Sequence, residues 1–127
     1  MDPILQFYHE TRERFPALVA ETDRKHQATC GVDDIYPYLW FEALANVLNA
    51  TMRKGTGLDV AGKVFDDMRH RFATGGAEVR NCIDVAFVEN LFDSVRPDDA
   101  QAYWARLPDL LKHLYLGFHA RPPCRSG

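Results

Sequence analysis

The chain has 127 residues, 46% of them hydrophobic and 26% charged, and a formal net charge of −3. That length and balance fit one soluble globular domain with a single core and argue against a disordered chain. The acidic excess argues against nucleic-acid binding, which calls for a clustered basic face. The longest run free of Asp, Glu, Lys and Arg, Ala43–Met52, falls far short of the ~20 apolar residues of a membrane span.

The N-terminal stretch MDPILQFYHE has no basic flank and no small-residue cleavage site, so the cytoplasm is the expected compartment. Asp2-Pro3 predicts a helix start, with the acid as N-cap and proline at the first helical position. Ile4, Tyr8, Thr11, Phe15 and Leu18 recur at steps of three and four and mark one helical face, which Pro16 should kink or break near Phe15. A loop is expected from Thr29 to Pro37. The next helix should run over 37–54, with Leu39, Ala43, Leu44, Val47, Leu48 and Met52 inward and Gly55-Thr56-Gly57 ending it. A fourth, over 59–74, should bury Val60, Val64, Met68 and Phe72 before Gly75-Gly76.

The segment 77–92 differs. Val79, Ile83, Val85, Phe87, Val88, Leu91 and Phe92 cover every side of a helix, which places it among the others at the centre. Two short helices then follow Pro97 and Pro108, over 98–106 and 109–119. On the first, Ala100, Tyr103 and Leu107 share a face. On the second, Leu111, Leu114 and Phe118 do. With no strand signal and no internal repeat, the expectation is all-α: a single-domain bundle of six to seven helices around a buried helix at about 77–92. The domain should span 1–120, with 121–127 a flexible tail.

Candidate chemistry is sparse. Cys30, Cys82 and Cys124 are an odd set without CxxC spacing, so neither a disulfide framework nor a zinc ribbon is suggested; Cys82 reads as core and Cys124 as loose tail. His26–Cys30 and Asp66–His70 each offer two ligands at helical spacing, but no second pair completes a metal site, and solvated surface histidines are the simpler reading. Ser94 and Ser126 are the only serines and GxSxG is absent. Asp66-Asp67 reads as a wetted helix face, and Asp98-Asp99 as first-turn acids favoured by exposed N–H groups. No catalytic residue, cofactor or metal is expected. An enzyme would need Asp84, Glu89 and His70 to converge in a pocket.

Two features stand out. Between Ala77 and Asp99, six acids face only two arginines. Asp84 and Glu89, on the central helix, must either pair with Arg53, Arg69, Arg71 or Arg80 or open onto a binding face beside Asp98 and Asp99. The stretch DDIYPYLW at 33–40 combines acids with aromatic rings, which serves core packing and interfaces alike. A helical adaptor without catalysis fits these features.

VENLF at 88–92, followed by AQAYWARLPDLLKHLYLGFH at 100–119, resembles the C-terminal part of bacterial contact-dependent growth-inhibition immunity proteins. The resemblance implies a cytoplasmic protein that binds one cognate toxin domain, often a nuclease, and blocks it without catalysis. A nuclease needs a basic substrate cleft, which an acidic sector complements. On that reading the expected contacts are Asp33, Asp34, Tyr36, Asp93, Asp98 and Asp99.

Overall fold

Proline decides where most helices begin. The computed structural model, which describes residues 2–31 and 35–125, contains seven α-helices and, among those residues, no strand. They are α1 (Pro3–Arg14), α2 (Pro16–Cys30), α3 (Pro37–Lys54), α4 (Leu58–Thr74), α5 (Ala77–Cys82), α6 (Pro97–Arg106) and α7 (Asp109–His119). Pro3, Pro16, Pro37 and Pro97 each sit in a first turn, where the missing N–H costs nothing. Asp2 caps α1, its carboxylate accepting the Ile4 N–H at 2.9 Å. Pro16 ends α1 in a full break, with Phe15 out of helical geometry at φ −126°, ψ 57°.

The central element is not one regular helix. From Ile83 to Val88 the backbone is π-helical, with the Glu89 N–H bonded to the Asp84 carbonyl five residues back. This α5–π unit packs against α1, α3, α4 and α7. It buries Val79, Cys82, Ile83, Ala86, Phe87 and Val88 while Val85 faces out, and the turn after it buries Leu91 and Phe92. Two aromatic groups flank it. Phe7 stacks on Phe41 at 4.4 Å beside Trp40 and Tyr8; Phe92, Trp104 and Tyr115 meet edge to face at 5.4–5.9 Å. Tyr103 ties α6 to the turn after α3, its hydroxyl donating to the Thr56 carbonyl at 2.6 Å. The 100–119 stretch is thus a packed corner of the core to which Cys124 also belongs.

Several expectations are corrected by which neighbour covers each face. The buried stripe of α4 is Ala61, Val64, Phe65 and Met68, leaving Val60 38% exposed. Leu39 lies on the outer side of α3, and Phe118 projects from the end of α7 at 60% exposure; the buried pair there is Leu111 and Tyr115. Thr29 and Cys30 belong to α2. Cys124 is buried in the core, so its segment is docked at that point. His26 is buried too, its Nε2 accepting the Tyr36 backbone N–H at 3.1 Å. Burial pushes the Cys82 thiol up to about 12, which makes it inert.

Asp67 is not wetted. It is buried and takes a hydrogen bond from Arg14 at 2.5 Å, and one turn on Arg71 reaches Glu10 at 2.6 Å. Glu10 and Arg14 stand one turn apart on α1, Asp67 and Arg71 on α4, so two ion pairs join the helices. Asp23 does similar work for α1, α2 and α3, accepting Arg12 at 2.6 Å and the Trp40 indole N–H at 2.8 Å.

These contacts set a pH dependence. The hydrogen bond from Arg71 holds Glu10 below the ordinary carboxylate range. Burial opposes ionisation of Asp23, but Arg12 and Trp40 together outweigh it and lower its pKa. Carboxyls depressed in the folded state contribute stability above their unfolded pKa and lose it as pH falls through the folded one. The melting temperature is expected to drop as pH falls below about 4, and Asp23→Asn to flatten that drop. An unchanged acid limb in Asp23→Asn would contradict the assignment.

Candidate functional site

The π-helical stretch runs into the least regular backbone in the described chain. Phe92 (φ 67°) and Ser94 (φ 53°) are both left-handed, although neither is glycine. A bulky residue in that region costs on the order of 1–3 kcal/mol and persists only where its surroundings hold it. Here the holder is Asn49. It is fully buried on α3; its Oδ1 accepts the Phe92 N–H at 2.7 Å and its Nδ2 donates to the Asn90 carbonyl at 2.8 Å. One side-chain amide thus replaces the backbone partners that the turn gives up. Arg53, one turn further along α3, adds a bond from Nη1 to the Asp93 carbonyl at 3.1 Å.

The turn separates two clefts. One, of about 460 Å³, lies between α2 and α3, where Lys25, Leu39, Glu42, Asn46, Arg53 and Asp93 line it. It holds charges of both signs, with the hydroxyls of Thr29 and Ser94 among its lining. The other, of about 440 Å³, is lined by Phe92, Tyr115, His119 and the segment after α7. Among the described residues, no three His, Cys, Asp or Glu side chains come together in a way that could hold a metal ion, and no helix is long and apolar enough to cross a membrane.

The expected contact residues divide into two groups. Asp93 is exposed on the turn, and Asp98 and Asp99 follow it in the first turn of α6. After burial, the Asp99 charge is the next cause raising the Tyr103 hydroxyl pKa. Tyr36 is half exposed at the start of α3. Seventeen residues of helix, about 25 Å, separate its end of α3 from Arg53 and the turn. Asp33 and Asp34 lie outside the described residues.

Neither Asp84 nor Glu89 pairs with an arginine. Arg71 is committed to Glu10, Arg80 donates to the Phe72 carbonyl, and Arg53 serves the turn. Burial, then the neighbouring Asp84 charge, push the Glu89 carboxyl up. The histidine beside Glu89 is His119, whose Nε2 lies 2.9 Å from the Glu89 carbonyl; His70 is on the exposed side of α4.

The five ion pairs among the described residues use Glu10, Glu21, Asp23, Asp66 and Asp67. All come from the first 67 residues. The six acids of 77–99 form none, so no ion pair among the described residues offsets the sector that is acidic in sequence.

The family model described as Domain of unknown function (DUF7674) matches residues 8–120. The chain belongs to the DUF7674 family. No curated protein and no solved structure matches it. The DUF7674 match takes in the Asn49 clamp, the left-handed turn and both ends of α3, and it stops short of Arg121. What sequence reasoning missed within the DUF7674 domain is Asn49 itself. Its signal was an amide in the apolar run Ala43–Met52, on the same face as Ala45 and Met52.

Proposed function

We propose that this chain is an immunity protein, which binds and neutralises a cognate toxin domain, a nuclease with a basic cleft, in the cytoplasm and without chemistry of its own. The observation that carries the reading is the unpaired acidity of 77–99. Of the ten described acids outside this sector five form ion pairs, whereas none of the six within it does. Leaving them so concentrates negative potential that speeds association with a basic surface and selects against other partners. The Asn49 clamp supports the same reading, because it presents Asp93 on a rigid turn and lowers the ordering cost of binding.

The two groups of contacts suit one interface. An ordinary interface buries about 800 Å² on each partner, a patch roughly 30 Å across. Tyr36 and Asp93, at opposite ends of α3, fit within it. Tyr36 would act as an aromatic anchor and the acids as the charged rim.

Co-expression tests this directly. A bacterial host expressing the C-terminal domain of the protein encoded immediately upstream should stop growing, and should grow normally when this chain is made alongside it. Arrest that persists with the folded chain present would overturn the proposal.

A further inference from the structure

The cleft behind the Phe92–Val95 turn carries basic side chains and no acid. His119, Arg121 and Arg125 line it, with Phe92, Val95 and Pro97 forming an apolar wall. In a chain of net charge −3 this concentration is unusual, because like charges facing one cavity repel unless an anion joins them. Neither Arg121 nor Arg125 forms an ion pair or a side-chain hydrogen bond among the described residues. Asp93, the nearest acid on the turn, lines the opposite cleft.

The segment bearing the two arginines is held in place. Cys124 is buried in the core between them, and Pro122-Pro123 restricts the backbone that links it to Arg121. His119 is fixed as well, stacked on Tyr115 at 4.1 Å with Nε2 against the Glu89 carbonyl. Burial raises the Tyr115 hydroxyl pKa, and of the nearby charges that of Arg121 lowers it while that of Asp93 raises it. Two guanidiniums on a docked segment, both exposed and without a protein partner, can recognise phosphate oxygens by charge and by paired N–H donors.

We infer that this cleft binds a phosphate group carried on a small organic molecule, with Arg121 and Arg125 on the phosphate and the organic part against Phe92, Val95 and Pro97. The volume of about 440 Å³ exceeds what a bare oxyanion fills and lies in the range of small-molecule sites. The site does not depend on the toxin-binding reading, and none of the six acids of 77–99 lines it.

The test is a titration of the ¹⁵N-labelled protein with AMP, inorganic phosphate and adenosine, followed by NMR. AMP should shift the amides of Phe92, Val95, His119, Arg121 and Arg125 with saturation by millimolar concentration. Phosphate should shift the arginine amides more weakly, and adenosine should leave the spectrum unchanged. Arg121→Glu with Arg125→Glu should weaken AMP at least about a hundredfold while the remaining resonances keep their folded dispersion. Arg121→Ala alone should weaken it about tenfold. No shifts with AMP, or shifts that survive the double reversal, would overturn the site. Equal affinity for phosphate and AMP would overturn the organic part of the ligand.

Discussion

Replacing Asn49 with alanine is expected to destabilise the protein by about 3 kcal/mol, or roughly 10 °C in melting temperature, although the residue touches no solvent and no expected partner. Its amide satisfies the buried Phe92 N–H and the partly buried Asn90 carbonyl. Removing it orphans the buried Phe92 N–H, at a cost of about 1–3 kcal/mol, takes a bond from the partly buried Asn90 carbonyl, and frees a backbone that has left-handed residues to relax. Leucine should be no better, since it restores volume but neither bond. Asn49→Asp separates the two roles. It keeps an acceptor for Phe92 but sets a carboxylate against the Asn90 carbonyl. Its folded-state pKa is therefore raised, and its deficit should shrink as pH falls through the carboxylate range. Chemical denaturation of the three variants reads this directly. A loss under about 0.5 kcal/mol for Asn49→Ala would mean that the turn is held by its own packing.

The second large effect concerns the acids. Reversing Asp93, Asp98 and Asp99 to lysine, together with Asp33 and Asp34, is expected to weaken toxin-domain binding by at least about a hundredfold, chiefly through a slower association rate. Alanine at Lys112 and Arg121 should change it by less than about threefold. Asp98 and Asp99 also stabilise the start of α6, so lysine there costs helix stability, about 0.3–1 kcal/mol for each charge. Asparagine at both positions removes the charge with a smaller perturbation and should show an intermediate loss of affinity. Tyr36→Ala tests the other end of α3 and should cost about tenfold if the ring is an anchor. Full affinity in the five-residue reversal would place the interface elsewhere on the surface.

Much of the architecture was legible because proline and glycine punctuate it. Pro3, Pro16, Pro37 and Pro97 start helices where the sequence places them, and Gly55, left-handed at φ 69°, ends α3. The central position of 77–92 followed from its apolar coverage. Its π-helical half did not, because one extra residue per turn shifts which side chains are buried without changing their composition. Ala86, Phe87 and Val88, buried in succession, are the trace it leaves. Val60, Leu39 and Phe118 share the periodicity of their helices but lie where no neighbour covers them; spacing reports a face and is silent on what meets it. Asp67 and His26 were misread for the opposite reason. Polar side chains are buried when a specific partner is waiting, Arg14 for one and the Tyr36 N–H for the other, and those partners are 53 and 10 residues away. Asp93, Asp98 and Asp99 could be grouped from the sequence, since one short connection carries all three. Their lack of ion pairs could not, because it depends on where Arg53, Arg71 and Arg80 spend their bonds.

The central claim is that an acidic sector without ion pairs of its own exists to meet a basic toxin surface. Calorimetric binding to the C-terminal domain of the protein encoded immediately upstream, at low and at high salt, tests it most directly. The account predicts nanomolar or tighter affinity that weakens steeply as salt rises, since exposed charges are screened within ~10 Å at 0.1 M salt. Absence of binding by a well-folded sample, or tight binding indifferent to salt, would contradict it.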